Sequence, residues 1–210
     1  MGASLMKLPL QSLWMMWENV FDLITRFRSK SVLRYGICKL VVRQHHGKRI
    51  ACQDGHGIQA GDWVGELHLD NRQVMSLSRT FGADRAGLKT VRMLRDAMKQ
   101  ISKELDSNSD LLEVRAITGI TLLHRGIIHG IGFEQHPIAS RWQQRFYAAY
   151  LRLLLRILHP EGKERVQYSS EKLAPLMLVI SKQSLKERFA LRDHDLQEAR
   201  HNRRKKEAIS

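Results

Sequence analysis

The chain has 210 residues, 43% hydrophobic, 27% charged and 7% aromatic, with 14 Gly and 4 Pro. That supplies one sizeable core and excludes a wholly disordered, collagen-like or disulfide-stapled chain. Of the net charge of +14, residues 1–35 carry +3 and residues 192–210 carry +2, so the body keeps +9 and favours anionic partners.

In chain order, residues 9–29 predict an amphipathic helix. Leu10, Trp14, Trp17, Phe21 and Ile24 repeat at helical spacing, with Glu18, Asp22 and Arg26 on the other side. Such a stripe either docks the helix on its own domain or lays it on a membrane surface, with Lys7, Arg26, Arg28 and Lys30 near headgroups. Gln11 and Ser12 break the apolar run and no small-residue cleavage site follows, so no signal peptide is expected. No stretch reaches the roughly 18 uncharged apolar residues that span a bilayer. The expected location is cytoplasmic, with peripheral membrane contact through residues 9–29 as an option.

Ile37–Arg43 and Lys48–Cys52 read as short strands around a turn at His45–Lys48. Cys38 and Cys52 lie near mirror positions across that turn. Free buried thiols are the favoured reading and a disulfide the alternative. A polar, Gly-rich connection, 53–61, leads to DWVGELHLD, 62–70, whose clean alternation predicts a strand with Trp63, Gly65, Leu67 and Leu69 on one face. Asp70, with Gln73 at capping-box distance, can cap a short helix over 72–80. A longer helix runs from Asp84 to about Leu105, burying Val91, Leu94, Met98, Ile101 and Leu105. Val114–Leu123 is apolar on both faces and β-branched, which predicts a central strand. Gly126–Gly132 is a turn and Phe133–His136 a further strand. Ser140 caps a helix to Leu158, Leu176–Ile180 is a last strand, and Ser181 caps a helix to about Leu191. This mixed order predicts an α+β fold: helices packed on a mixed or mainly antiparallel sheet, plus the N-terminal helix. The domains are an N-terminal helical segment (1–35), an α+β body (36–191) and a basic tail (192–210).

Three constellations carry chemistry. On the strand 62–70, alternation puts Glu66, His68 and Asp70 on one face, a carboxylate–imidazole–carboxylate row suited to acid–base work or cation binding and equally to an ordinary solvated sheet face. In LLHRGIIHGIGFEQH, 122–136, the donors His124, His129, Glu134 and His136 fit no helical metal-ligand spacing; Arg125 suits an anion contact or an ion pair. On the helix 141–158, Arg141, Arg145, Arg152 and Arg156 fall within a band of about 60°, and no acid occurs between Gln135 and Pro160. They form either an anion-binding stripe or a set of structural ion pairs. Phosphate loops, dinucleotide fingerprints, nucleophile elbows and zinc motifs are absent from the sequence.

The ordered set GDWVGELHLDN (61–71), TLLHRGIIHGIGF (121–133) and LVISKQSLKERF (178–189) resembles the YkoP-type domain of bacteria, over roughly residues 36–191. That family occurs alone or attached to polysaccharide deacetylase modules, so the resemblance implies an envelope-polysaccharide context. Glu66, His68 and Asn71 match its strand motif, and His124 and Arg125 its second motif. The deacetylase's Asp pair and metal-binding histidine pair have no counterpart here, which implies an accessory or binding role.

The expected function is therefore binding of a polar or anionic ligand, with an envelope glycan as the implied class. The candidate ligand-binding residues are Glu66, His68, Asn71, His124, Arg125, Arg145 and Arg152. A small enzyme using Glu66 and His68 as acid and base is the alternative, followed by a basic protein associated with membrane or, less favoured, nucleic acid. Neither a metal nor a cofactor is expected.

Overall fold

The computed structural model describes residues 29–121, 130–138, 140–158 and 175–190. The N-terminal helix, the pair His124 and Arg125, and the basic tail lie outside them. The described residues form an α+β fold built on a six-stranded mixed sheet.

The sheet begins with β1 (Ser31–Tyr35), a strand inside the 1–35 segment that the helical reading of the N-terminus leaves unassigned. A tight turn at Gly36, with φ of +55°, leads into β2 (Cys38–Gln44), which pairs antiparallel with β1. Two short strands, β3 (Ile50–Ala51) and β4 (Gly57–Ile58), pair only with each other. Then β5 (Trp63–Leu69) returns antiparallel along the other edge of β2. This corrects the expected hairpin between Ile37–Arg43 and Lys48–Cys52. Leu40, Val41 and Val42 are all buried, so β2 is an interior strand that needs a full-length neighbour on each edge. A two-residue β3 cannot supply one.

After β5 the chain forms α1 (Asn71–Phe81) and α2 (Ala83–Glu104), joined at Gly82 with φ of +76°. It returns as β6 (Val114–Thr121), parallel to β5, the helices serving as the crossover that a parallel pair requires. β7 (Glu134–His136), α3 (Arg141–Leu158), β8 (Leu176–Ser181) and a helix over residues 182–190, α4, complete the order. Across the sheet the strands run β1-β2-β5-β6-β8-β7. Of the predicted central strand, Val114–Thr121 is indeed central as β6, flanked by β5 and β8.

One face carries the main core. Leu40 and Val42 of β2, Leu67 and Leu69 of β5, Ile117 of β6 and Ile180 of β8 pack with Leu94, Met98, Ile101 and Leu105 of the α2 segment and Leu185 and Phe189 of α4. Tyr35 Oη donates to Glu104 Oε2 at 2.7 Å, tying β1 to the end of α2. A smaller cluster on the opposite face seats the β3–β4 hairpin through Ile50, Cys52 and Ile58 against Val64, Ala116 and Val179. Cys38 belongs to the first cluster and Cys52 to the second, on opposite sides of the sheet. Both are free buried thiols, and burial pushes them up to about 12 and about 11.

The caps follow the sequence closely. Asp70 Oδ1 accepts from the backbone N–H of Arg72 (3.0 Å) and Gln73 (3.2 Å) at the start of α1. Asp70→Ala is expected to lower stability in urea denaturation by about 1 kcal/mol, with Asp70→Asn retaining most of it. Equal losses for Ala and Asn would contradict the capping role.

Candidate functional site

The strand ladder places the polar row on the face away from the main core. Turning Leu67 and Leu69 of β5 inward turns Val64, Glu66 and His68 outward. Register then extends that face across the sheet: Glu66 pairs with Val41 and Thr118, Thr118 with Val179, and Val179 with Glu134. Two residues further along these strands come Lys39 opposite His68, and Ile120 and His136 on either side of Met177. The result is a floor with Glu66 and His68 at one end and Glu134 and His136 at the other. Their strands are three spacings apart, about 14 Å.

Glu66 is the best-buried member of the first dyad, with 16% of its side chain exposed against 32% for His68. Arg43 Nε lies 2.6 Å from Glu66 Oε2. Arg43 is Val64's partner in the ladder, so it reaches Glu66 as a diagonal neighbour on the same face. The His68 imidazole Nε2 sits 3.9 Å from the same oxygen. Burial pushes the Glu66 carboxyl up, but the His68 contact and the Arg43 charge outweigh it and hold the group below its ordinary 4.5. α3 brings Tyr147 into the field of this pair: burial and the Glu66 charge raise the phenol, while Arg43 pulls it down, for a net rise.

The second dyad is similarly tied. His136 Nε2 and Glu134 Oε2 are 3.3 Å apart, and Gln53 N donates to Glu134 Oε1 at 2.9 Å, so the β3–β4 hairpin walls that end. A further polar knot pins the hairpin itself. Asp54 Oδ2 accepts from the hydroxyls of Ser181 and Ser184 (the latter 2.9 Å), Asp54 Oδ1 accepts from His56 N at 3.0 Å, and Ser181 Oγ caps α4 by accepting from Ser184 N at 2.9 Å. Burial raises Asp54, yet these hydrogen bonds and the His56 charge leave it lowered. Beside this knot is a groove of about 370 Å³ lined in part by His56, Arg115, Lys182 and Lys186. Its cations are engaged: Arg115 pairs with Asp62 at 3.1 Å, and Lys182 and Lys186 both pair with Asp106.

Of the residues singled out in the sequence, Glu66 and His68 share one site. Asn71 begins α1 beyond the strand end, next to the capping Asp70. His124 and Arg125 lie outside the described residues. Arg145 is exposed and Arg152 half-buried on α3. At 100° per residue Arg145 lies about 160° around the helix from Tyr147, so Arg145 faces away from the Glu66 site. Arg43 and Tyr147 had no signal in the sequence, because neither pairing partners nor helix placement is written in periodicity. Glu134 and His136 did carry one, as the two-residue spacing of a strand. Among the described residues no group of three or more His, Cys, Asp or Glu side chains could hold a metal ion, and no helix is long and apolar enough to cross a membrane.

The family profile described as the YkoP domain matches residues 7–189. The chain belongs to the YkoP family. No curated protein and no solved structure gives a significant match to it. The match includes both dyads of this YkoP domain, Arg43, Tyr147 and the Asp54 knot.

Because Glu66 is held below its ordinary value in the folded state, its contacts add stability that is complete above 4.5 and is lost as pH falls through the lower folded value. Glu66→Gln is expected to destabilise this YkoP domain at pH 7 by about 1–3 kcal/mol in chemical denaturation. The gap to wild type should close as the pH drops below 4.5. A gap independent of pH would show that the carboxylate charge contributes nothing.

Proposed function

We propose that the sheet face carrying the two dyads binds a polar, polyhydroxylated ligand of the envelope-glycan class, and that this YkoP domain acts as an accessory or binding module. The observation that carries the reading is the alignment of two carboxylate–imidazole dyads, Glu66 with His68 and Glu134 with His136, on one face. Carboxylates accept hydrogen bonds and imidazoles both donate and accept, which suits hydroxyl groups that do the same. Between them the half-buried Ile120 and Met177 offer apolar surface for the flat faces of sugar rings. A separation of about 14 Å suits a chain of rings better than a small ion. The positive field of the body would draw acidic polymers towards the same face.

The Glu66 environment favours binding over catalysis. A general acid at neutral pH needs a raised carboxyl pKa, and Glu66 is shifted the other way by His68 and Arg43. With Arg43 at 2.6 Å, its charge is directed at a fixed partner. The calorimetric test uses oligomers of N-acetylglucosamine and a uronic-acid polymer. Wild type is expected to bind at least one of them. His68→Ala and His136→Ala should each weaken that binding about tenfold while both variants remain folded by circular dichroism. Binding unchanged in both variants, or absent for both probes, would overturn the reading. Turnover of either probe, abolished by His68→Ala, would replace it with the enzymatic alternative.

A further inference from the structure

Most helices of a small domain turn their large apolar side chains to the core, and α3 departs from that pattern. Trp142 is 81% exposed, Phe146 63% and Leu153 41%. At 100° per residue these three fall within about 40° of one another, with Ala149 beside them, so they form one stripe along three turns. The Phe146 ring stacks on Tyr150 with centroids 6.4 Å apart and meets Tyr147 edge-on at 5.9 Å. The exposed ring is thus braced from behind by the helix's own aromatics. Along one flank of the stripe lie the exposed Arg141 and Arg145. The sequence from Gln135 to Pro160 contains no acid, so nothing on the helix offsets that charge.

We infer that this face of α3 docks in the interface of an anionic phospholipid bilayer. An amphipathic helix with Trp, Phe and Leu on one face and arginines at its margin lies in the headgroup plane, the rings entering the acyl boundary and the guanidiniums meeting phosphates. The charge complementarity is direct: unopposed arginines on a body of net positive charge face a negatively charged leaflet. Single-stranded nucleic acid also stacks on aromatics beside arginines. The stripe, however, continues through Ala149 and Leu153, an aliphatic extension that a bilayer accepts and a base stack does not use. It is also convex, on a single helix, whereas nucleic-acid strands are held in grooves. This docking is independent of the ligand reading for the sheet face, because Arg141, Trp142 and Arg145 lie about 120–160° around the helix from Tyr147, the α3 residue in the field of Glu66.

The test is flotation of the full chain with vesicles of phosphatidylcholine alone and of phosphatidylcholine mixed with phosphatidylglycerol. Wild type should float with the mixed vesicles and hardly with the neutral ones. The double variant Trp142→Ser/Phe146→Ser should lose about tenfold or more of that binding with Tm unchanged, since both side chains are exposed in the fold. Arg141→Gln/Arg145→Gln should weaken binding and flatten its salt dependence. Three results would overturn the inference: no flotation of wild type, flotation unchanged in the aromatic double variant, or self-association or DNA binding that this variant abolishes while vesicle binding persists.

Discussion

The alternation of β5 is the constraint on which the rest of the structure depends. Its Leu67 and Leu69 are packed under α1 and α2, so Glu66 and His68 have only the opposite face to occupy. Gly65 locks the arrangement: a Cβ there would stand 2.8 Å from Leu40 Cδ1 and 2.9 Å from Ile117 Cδ1, side chains of the two flanking strands that fill the space a larger residue would need. A slip of one residue would drive a carboxylate and an imidazole into the helix-covered core, at a cost of several kcal/mol for the charge alone. Because β5 pairs with β2 on one side and β6 on the other, its register propagates outward through β8 to β7. The second dyad inherits its position from the first.

Burying Glu66 under these terms requires compensation, and His68 and Arg43 supply it. An isolated half-buried carboxylate would rise in pKa and neutralise. Here a guanidinium at 2.6 Å and an imidazole at 3.9 Å keep it charged. The same neighbours define what the site does well. An anion beside a guanidinium and an imidazole, with a phenol in its field, suits the proposed binding role better than that of a proton donor. Further contacts fix the hairpin that borders this face. The Asp54 knot ties the β3–β4 hairpin to α4 through two serines, and Gln53 of that hairpin holds Glu134, so the hairpin forms a fixed wall at one end of the floor.

Local features were largely legible in the sequence. The caps at Asp70, Ser140 and Ser181, the central β6 and the inward side of β5 all follow from period and capping chemistry, which act over a few residues. Partnership was not. β2 reads equally well beside 48–52 as beside 63–69, since periodicity says which face is buried and nothing about which edge is paired. β1 is a five-residue strand adjoining an amphipathic stripe, too short to stand out by itself. Arg43 and Tyr147 joined the site only through long-range pairing and helix placement. Glu134 and His136 drew notice as metal-type donors among histidines, whereas their two-residue spacing is that of a strand face.

The central claim is that the two dyads and the floor between them form one binding surface. The most direct measurement is the map of backbone and histidine NMR shifts in this YkoP domain as an N-acetylglucosamine oligomer or a uronic-acid polymer is added. Joint perturbation of His68 and His136, with Thr118, Ile120 and Met177 between them, is the predicted result. Perturbation confined to one dyad, or to α3 with the sheet face unmoved, would contradict it.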